Sequence, residues 1–111
     1  MDPQEPASRT DKLAAAIAHA AAQYFERESN RQSLITVTRA DISPDLANAT
    51  IYLSVLPRSA EADVISFARR NRGELREFVK KSQPMKRVPT LDVVIDEGEK
   101  HRQRIDDLMR E

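Results

Sequence analysis

The 111-residue chain has no cysteine and no tryptophan, only two glycines and two histidines, and aromatic residues make up 5% of it. Without thiols there can be no disulfide framework, no thiolate nucleophile and no cysteine zinc site, so stability must come from packing. A serine nucleophile needs a histidine and an acid converging on it. His19 and His101, far apart in sequence, offer few such arrangements, and a lone His19 among helix alanines is an ordinary helix residue. A phosphate-cradling loop needs several glycines before a lysine, and neither Gly73 nor Gly98 has that company. Adjacent carboxylates such as Asp106 and Asp107 point in different directions on a helix and read as solvated charge. No apolar run approaches the roughly 20 residues of a membrane span, and no charged-then-apolar leader opens the chain. These absences predict a non-enzyme with no cofactor and no metal, located in the cytoplasm without membrane contact, and a monomer when free.

Hydrophobic residues (40%) and charged residues (32%) are balanced as in a globular protein, and this length supports one core. The polar, proline-containing opening, residues 1–7, is expected to be disordered, with a single domain over 8–111. The formal net charge of zero hides a segregation. Residues 69–87 carry eight Lys/Arg against two Asp/Glu, a net +6, while residues 1–68 (six against nine) and 88–111 (four against seven) are each −3. The +6 segment also holds Gly73, in a stretch that reads as helix on both sides, where glycine costs roughly 1 kcal/mol relative to alanine.

Periodicity supplies the elements. Ser8 to Glu28 is alanine-rich, starts with a capping-box-like Ser8 and Asp11, and repeats Leu13, Ile17, Ala21, Tyr24 and Phe25 at helical spacing. The next two segments, "SLITVTRADI" and "NATIYLSVL", read as strands able to pair antiparallel across the turn "SPDLA". In the first of them Ile35 and Val37 alternate, but Arg39 and Asp41 then take the inward parity where Ala40 and Ile42 would suit a core. A bulge near Thr38 or Arg39 would restore the phase. Ser59 is expected to cap a helix bearing Val64, Phe67 and Ala68. Helix resumes after Gly73 with Leu75, Phe78 and Val79 on one stripe and ends before Pro84. "VPTLDVVIDE" is a third strand with Leu91, Val93 and Ile95 on one side and Asp92 and Asp96 on the other. Lys100–Glu111 reads as a closing helix, with Asp96 and Glu99 as its cap. This order predicts an α+β sandwich, a three-stranded sheet with helices on one face.

In one continuous helix Arg69, Arg72 and Arg76 would share a face, with Lys80 extending it and Arg70 lying off it; Lys81, Lys86 and Arg87 carry the charge onward. Arginine offers a planar fork to phosphate and lysine a point charge. Phe67 and Phe78 look like core, so contact with phosphates and nucleic-acid shape is favoured over base stacking. The other reading of the same stripe is a protein–protein module that binds an acidic partner.

The chain resembles a type II KH-like domain, with the order α-β-β-α-kink-α-β plus a C-terminal helix, and within that class the ribosome-binding factor A family. The carrying residues are Leu34–Leu56, with its "SPDL" turn, and Leu91–Met109, with its "RID" helix. The family's helix–kink–helix replaces the usual GXXG clamp with an Ala-X-Gly pattern, matched here by Asn71, Arg72 and Gly73. Asparagine stands where the family has alanine; it tolerates unusual backbone geometry and brings hydrogen bonds. The resemblance implies a non-enzymatic assembly factor that binds the immature small (30S) ribosomal subunit and its 16S rRNA and aids late maturation and rRNA processing. Our charge reading assigns RNA contact to Arg69, Arg70, Arg72, Arg76, Lys80, Lys81, Lys86 and Arg87.

Overall fold

The computed structural model describes residues 9–29, 33–83, 85–98 and 108–109. Helix α1 (Arg9–Glu28) is followed by strands β1 (Leu34–Ile42) and β2 (Asn48–Leu56), helices α2 (Glu61–Arg70) and α3 (Arg72–Ser82), and strand β3 (Thr90–Ile95). The sheet order is β1-β2-β3, with β1 and β2 antiparallel and β2 and β3 parallel. A parallel pair requires a long crossover, which the α2–α3 pair supplies. The result is the expected α+β architecture with a mixed three-stranded sheet. The expected Ser8 cap, Pro84 stop and most of the closing helix lie outside the described residues; Leu108 and Met109 are helical and exposed.

The helices cover one face of the sheet. Ile17, Ala20, Ala21, Tyr24 and Phe25 of α1 pack with Ile51, Leu53 and Val55 of β2, Leu75 and Val79 of α3 and Leu91 and Val93 of β3. Each fully buried large side chain contributes about 1.5–3 kcal/mol. His19 lies on the exposed side of α1, within 3.5 Å of Gln23. Phe67 and Phe78 are partly buried against the core. Tyr24 makes edge contacts with Phe25 and Phe78, and its hydroxyl donates to Glu74 Oε1 at 3.3 Å. Burial, and secondarily the Glu74 carboxylate, pushes the Tyr24 phenol up to about 12.

The bulge falls where the alternation breaks: pairing shifts between Val37 and Arg39, leaving Thr38 extra. Arg39 and Asp41 then face solvent, while Ala40 and Ile42 pack against the core. The freed Thr38 hydroxyl lies 2.6 Å from Oδ2 of buried Asp96 and 3.3 Å from the Tyr52 carbonyl, so the irregular residue ties β1 to the end of β3. On the open face Arg39 lies over the Tyr52 ring at 3.8 Å and donates to Asp41 at 2.7 Å.

Ser59 does not cap α2. It lies inside a 3-10 turn, Arg58–Ala60, closed by the Ala60 N–H donating to the Pro57 carbonyl at 3.0 Å, and α2 starts only after it, with no side-chain cap. The short turn satisfies its donors through i→i+3 bonds, which removes the need for a serine oxygen.

Candidate nucleic-acid interface

The break between α2 and α3 falls on Asn71, with φ −109° and ψ 22°, away from the helical ψ of about −42°. Its N–H donates to the Phe67 carbonyl at 3.0 Å, and its side-chain Nδ2 donates to the same oxygen at 2.8 Å. Asparagine thus caps the end of α2 with its own amide, and the Leu75 N–H, donating to the Asn71 carbonyl at 2.9 Å, opens α3. Gly73 is a residue of α3 with no positive φ, and a Cβ placed on it would meet nothing within 4 Å. No internal close approach requires this glycine; the joint belongs to Asn71.

The break divides the expected straight stripe, yet its arginines still converge, because all turn toward β3. Arg69, in the last turn of α2, places Nε 3.7 Å from Asp92 Oδ1 and donates from Nη2 to the Val93 carbonyl at 3.4 Å. Arg72, at the start of α3, places Nη1 3.8 Å from the same Asp92 oxygen. Arg76 donates from Nη2 to the Val88 carbonyl at 2.9 Å. Asp92 Oδ1 also accepts the Val93 N–H at 2.8 Å. The Arg69 and Arg72 contacts lie at β3, and the Arg76 contact falls in the loop just before it. They cover backbone groups that an edge strand would otherwise present to a neighbour.

Arg70, Lys80 and Lys81 are exposed, at the ends of α2 and α3, and make no ion pair among the described residues. Lys86 and Arg87, in the loop before β3, share a groove with Arg9 of α1 and the turn between β1 and β2. The eight predicted cations therefore form a partly paired row along β3, an exposed set on the helix ends, and a third group at the groove. Asp92 and Arg9 were not among the sequence candidates. Asp92 was legible only as an outward strand residue, and Arg9 lay in a segment with no charge excess.

That turn is tightly built. Ser43 Oγ donates to Asp45 Oδ1 at 2.6 Å and accepts the Asn48 N–H at 3.0 Å, and the Ala47 N–H donates to Asp45 Oδ1 at 3.0 Å. These bonds, the Ser43 hydroxyl first, hold the Asp45 carboxyl below its ordinary value. Within the turn Leu46 has a φ of 61°. Among the described residues no group of three or more His, Asp and Glu side chains is placed to hold a metal ion, and no helix is long and apolar enough to cross a membrane.

Comparison with known proteins agrees with this architecture. The crystal structure of ribosome-binding factor A from Thermus thermophilus superposes with a TM-score of 0.69 at 19% identity, covering 79% of this chain and 97% of that one. A Thermus thermophilus ribosome-binding factor A fitted into a cryo-electron microscopy map of a 30S complex gives a TM-score of 0.70, also at 19% identity, over 79% of this chain and 96% of that one. At that identity the likeness shows the fold. Sequence carries the relationship further. The ribosome-binding factor A of Methylobacterium sp. (strain 4-46) is 34% identical over 110 residues, 95% of this chain and 79% of the relative. That of Paracoccus denitrificans (strain Pd 1222) is 43% identical over 70 residues, 63% of this chain and 50% of the relative. With the family model for ribosome-binding factor A matching residues 9–109, the chain belongs to the ribosome-binding factor A family.

Proposed function

We propose that this protein is a non-enzymatic assembly factor that binds the immature 30S subunit through its 16S rRNA and aids late maturation and rRNA processing in the cytoplasm. The observation that carries the reading is the convergence of Arg69, Arg72 and Arg76 of the +6 segment on β3 and the loop before it, with Arg70, Lys80 and Lys81 exposed at the helix ends. Family membership supports it, as does the 30S complex of the Thermus relative. Arg70, Lys80 and Lys81 meet phosphates directly, while Arg69, Arg72 and Arg76 are held ready along β3; Lys86 and Arg87 extend the contact beyond it. Binding of this kind is dominated by counterion release and weakens steeply with salt.

The test uses Arg70→Glu, Lys80→Glu and Lys81→Glu together, since these exposed side chains make no ion pair among the described residues. Co-sedimentation of the folded triple variant with small-subunit precursors at low salt should fall more than tenfold. Unchanged co-sedimentation overturns the surface. Association with an extract should also vanish after nuclease treatment; association that survives overturns the RNA reading in favour of an acidic protein partner.

A further inference from the structure

The groove beside the turn between β1 and β2 has a volume of about 550 Å³, within the usual range for a small-molecule site. Its apolar lining is Leu13, Leu46 and Met85, and its cations are Arg9, Lys86 and Arg87. The single carboxylate, Asp45, accepts both of its turn hydrogen bonds at Oδ1, from the Ser43 hydroxyl and the Ala47 N–H. Three cations against one acid around an apolar lining fit a ligand that is anionic at one end and flat and apolar at the other.

The backbone adds an independent observation. Leu46 is held left-handed, at φ 61°, a conformation costing an L-residue on the order of 1–2 kcal/mol. The Leu46 N–H donates to the Ser43 carbonyl at 2.9 Å, and the Ser43 and Asp45 side chains fix the residues on either side. Such strain persists where surrounding bonds over-determine it, and it gathers at binding sites. Here the strained residue is part of the groove lining.

We propose that this groove binds one unpaired RNA nucleotide, its base lying against Leu13, Leu46 and Met85 and its flanking phosphates held by Arg9, Lys86 and Arg87. A base within a duplex cannot reach such a lining, whereas a base splayed out of the stack can lie against apolar side chains. The inference rests on the reading that the partner is RNA, but it uses a part of the molecule separate from the joint between α2 and α3. It makes the factor selective for rRNA segments that have not yet paired.

The test measures fluorescence anisotropy of a short labelled single-stranded RNA, and of the same strand in a duplex, with the full chain. Leu46→Gly is the informative variant, because glycine accepts the left-handed backbone without penalty and its melting temperature should rise rather than fall. It should bind the single strand about tenfold more weakly, with the duplex affinity and the salt slope unchanged. Met85→Ala should act in the same direction. Lys86→Ala with Arg87→Ala should weaken both RNAs and lower the salt slope by roughly one to two. Wild-type binding of the single strand by both Leu46→Gly and Met85→Ala overturns the groove. If Arg70→Glu, Lys80→Glu and Lys81→Glu together still weaken binding in that case, the failure belongs to the groove alone. If that triple variant also binds as wild type, the helix-end surface falls with the groove, and if the wild-type chain binds neither RNA, the RNA reading itself falls.

Discussion

Arg72 Nη1 stands 3.8 Å from Asp92 Oδ1, so the arginine that begins α3 is tied across to the outer edge of the sheet. Arg69 shares the same oxygen at 3.7 Å. If these arginines meet RNA as proposed, this carboxylate competes with a phosphate for the two guanidinium groups. Asp92→Asn removes its charge but keeps an oxygen able to accept the Val93 N–H. The variant should bind small-subunit RNA several-fold more tightly at low salt, with the slope of log affinity against log salt steeper by about one. Titrations at several salt concentrations check this. An unchanged slope would mean that Asp92 does not compete with phosphate.

Gly73 separates stability from binding. Its backbone is helical and a Cβ there meets open space, so Gly73→Ala should stabilise the fold by about 0.5–1 kcal/mol through lost freedom of the unfolded chain. Thermal or urea unfolding measures that gain. If the bare backbone at this point admits a phosphate, the same variant should bind RNA less well despite melting higher.

Tyr24 makes the fold sensitive to alkali. Its folded value of about 12 lies above the ordinary 10, so the stabilisation linked to it is fully present below pH 10 and is lost as pH rises from 10 through 12. Tyr24→Phe should cost about 1 kcal/mol at neutral pH through the lost bond to Glu74. It should also flatten the decline above pH 10. Urea midpoints at pH 7, 10 and 11 distinguish the two effects; parallel declines for both proteins would refute the linkage.

Much of this architecture was legible because it is periodic. The apolar repeat of α1, the alternation of β2 and the phase error in β1 each state which side chains must be inward, and burial obeys them. The 3-10 entry to α2 was not legible, because Pro57 rather than Ser59 organises that turn. Nor was the position of the joint. Glycine is the stronger breaker in a linear reading, but Asn71 ends α2 by hydrogen bonding its amide to Phe67, and Gly73 continues as helix. The cationic segment was plain from composition, while its folding back onto β3 was not. Arg69 and Asp92, or Arg76 and Val88, meet only after the crossover has brought their elements together.

The extra residue at Thr38 divides β1 into two runs of opposite parity that share one strand. A single residue lost or gained just after Arg39 would throw the residues beyond it out of phase, turning Ile42 outward and bringing Asp41 beneath the helices. Length changes beyond Arg39 therefore keep the phase only in steps of two, whereas loss of Thr38 alone removes the bulge and leaves Val37, Ala40 and Ile42 in regular alternation. The bulge thus restricts which insertions and deletions the gene can accept.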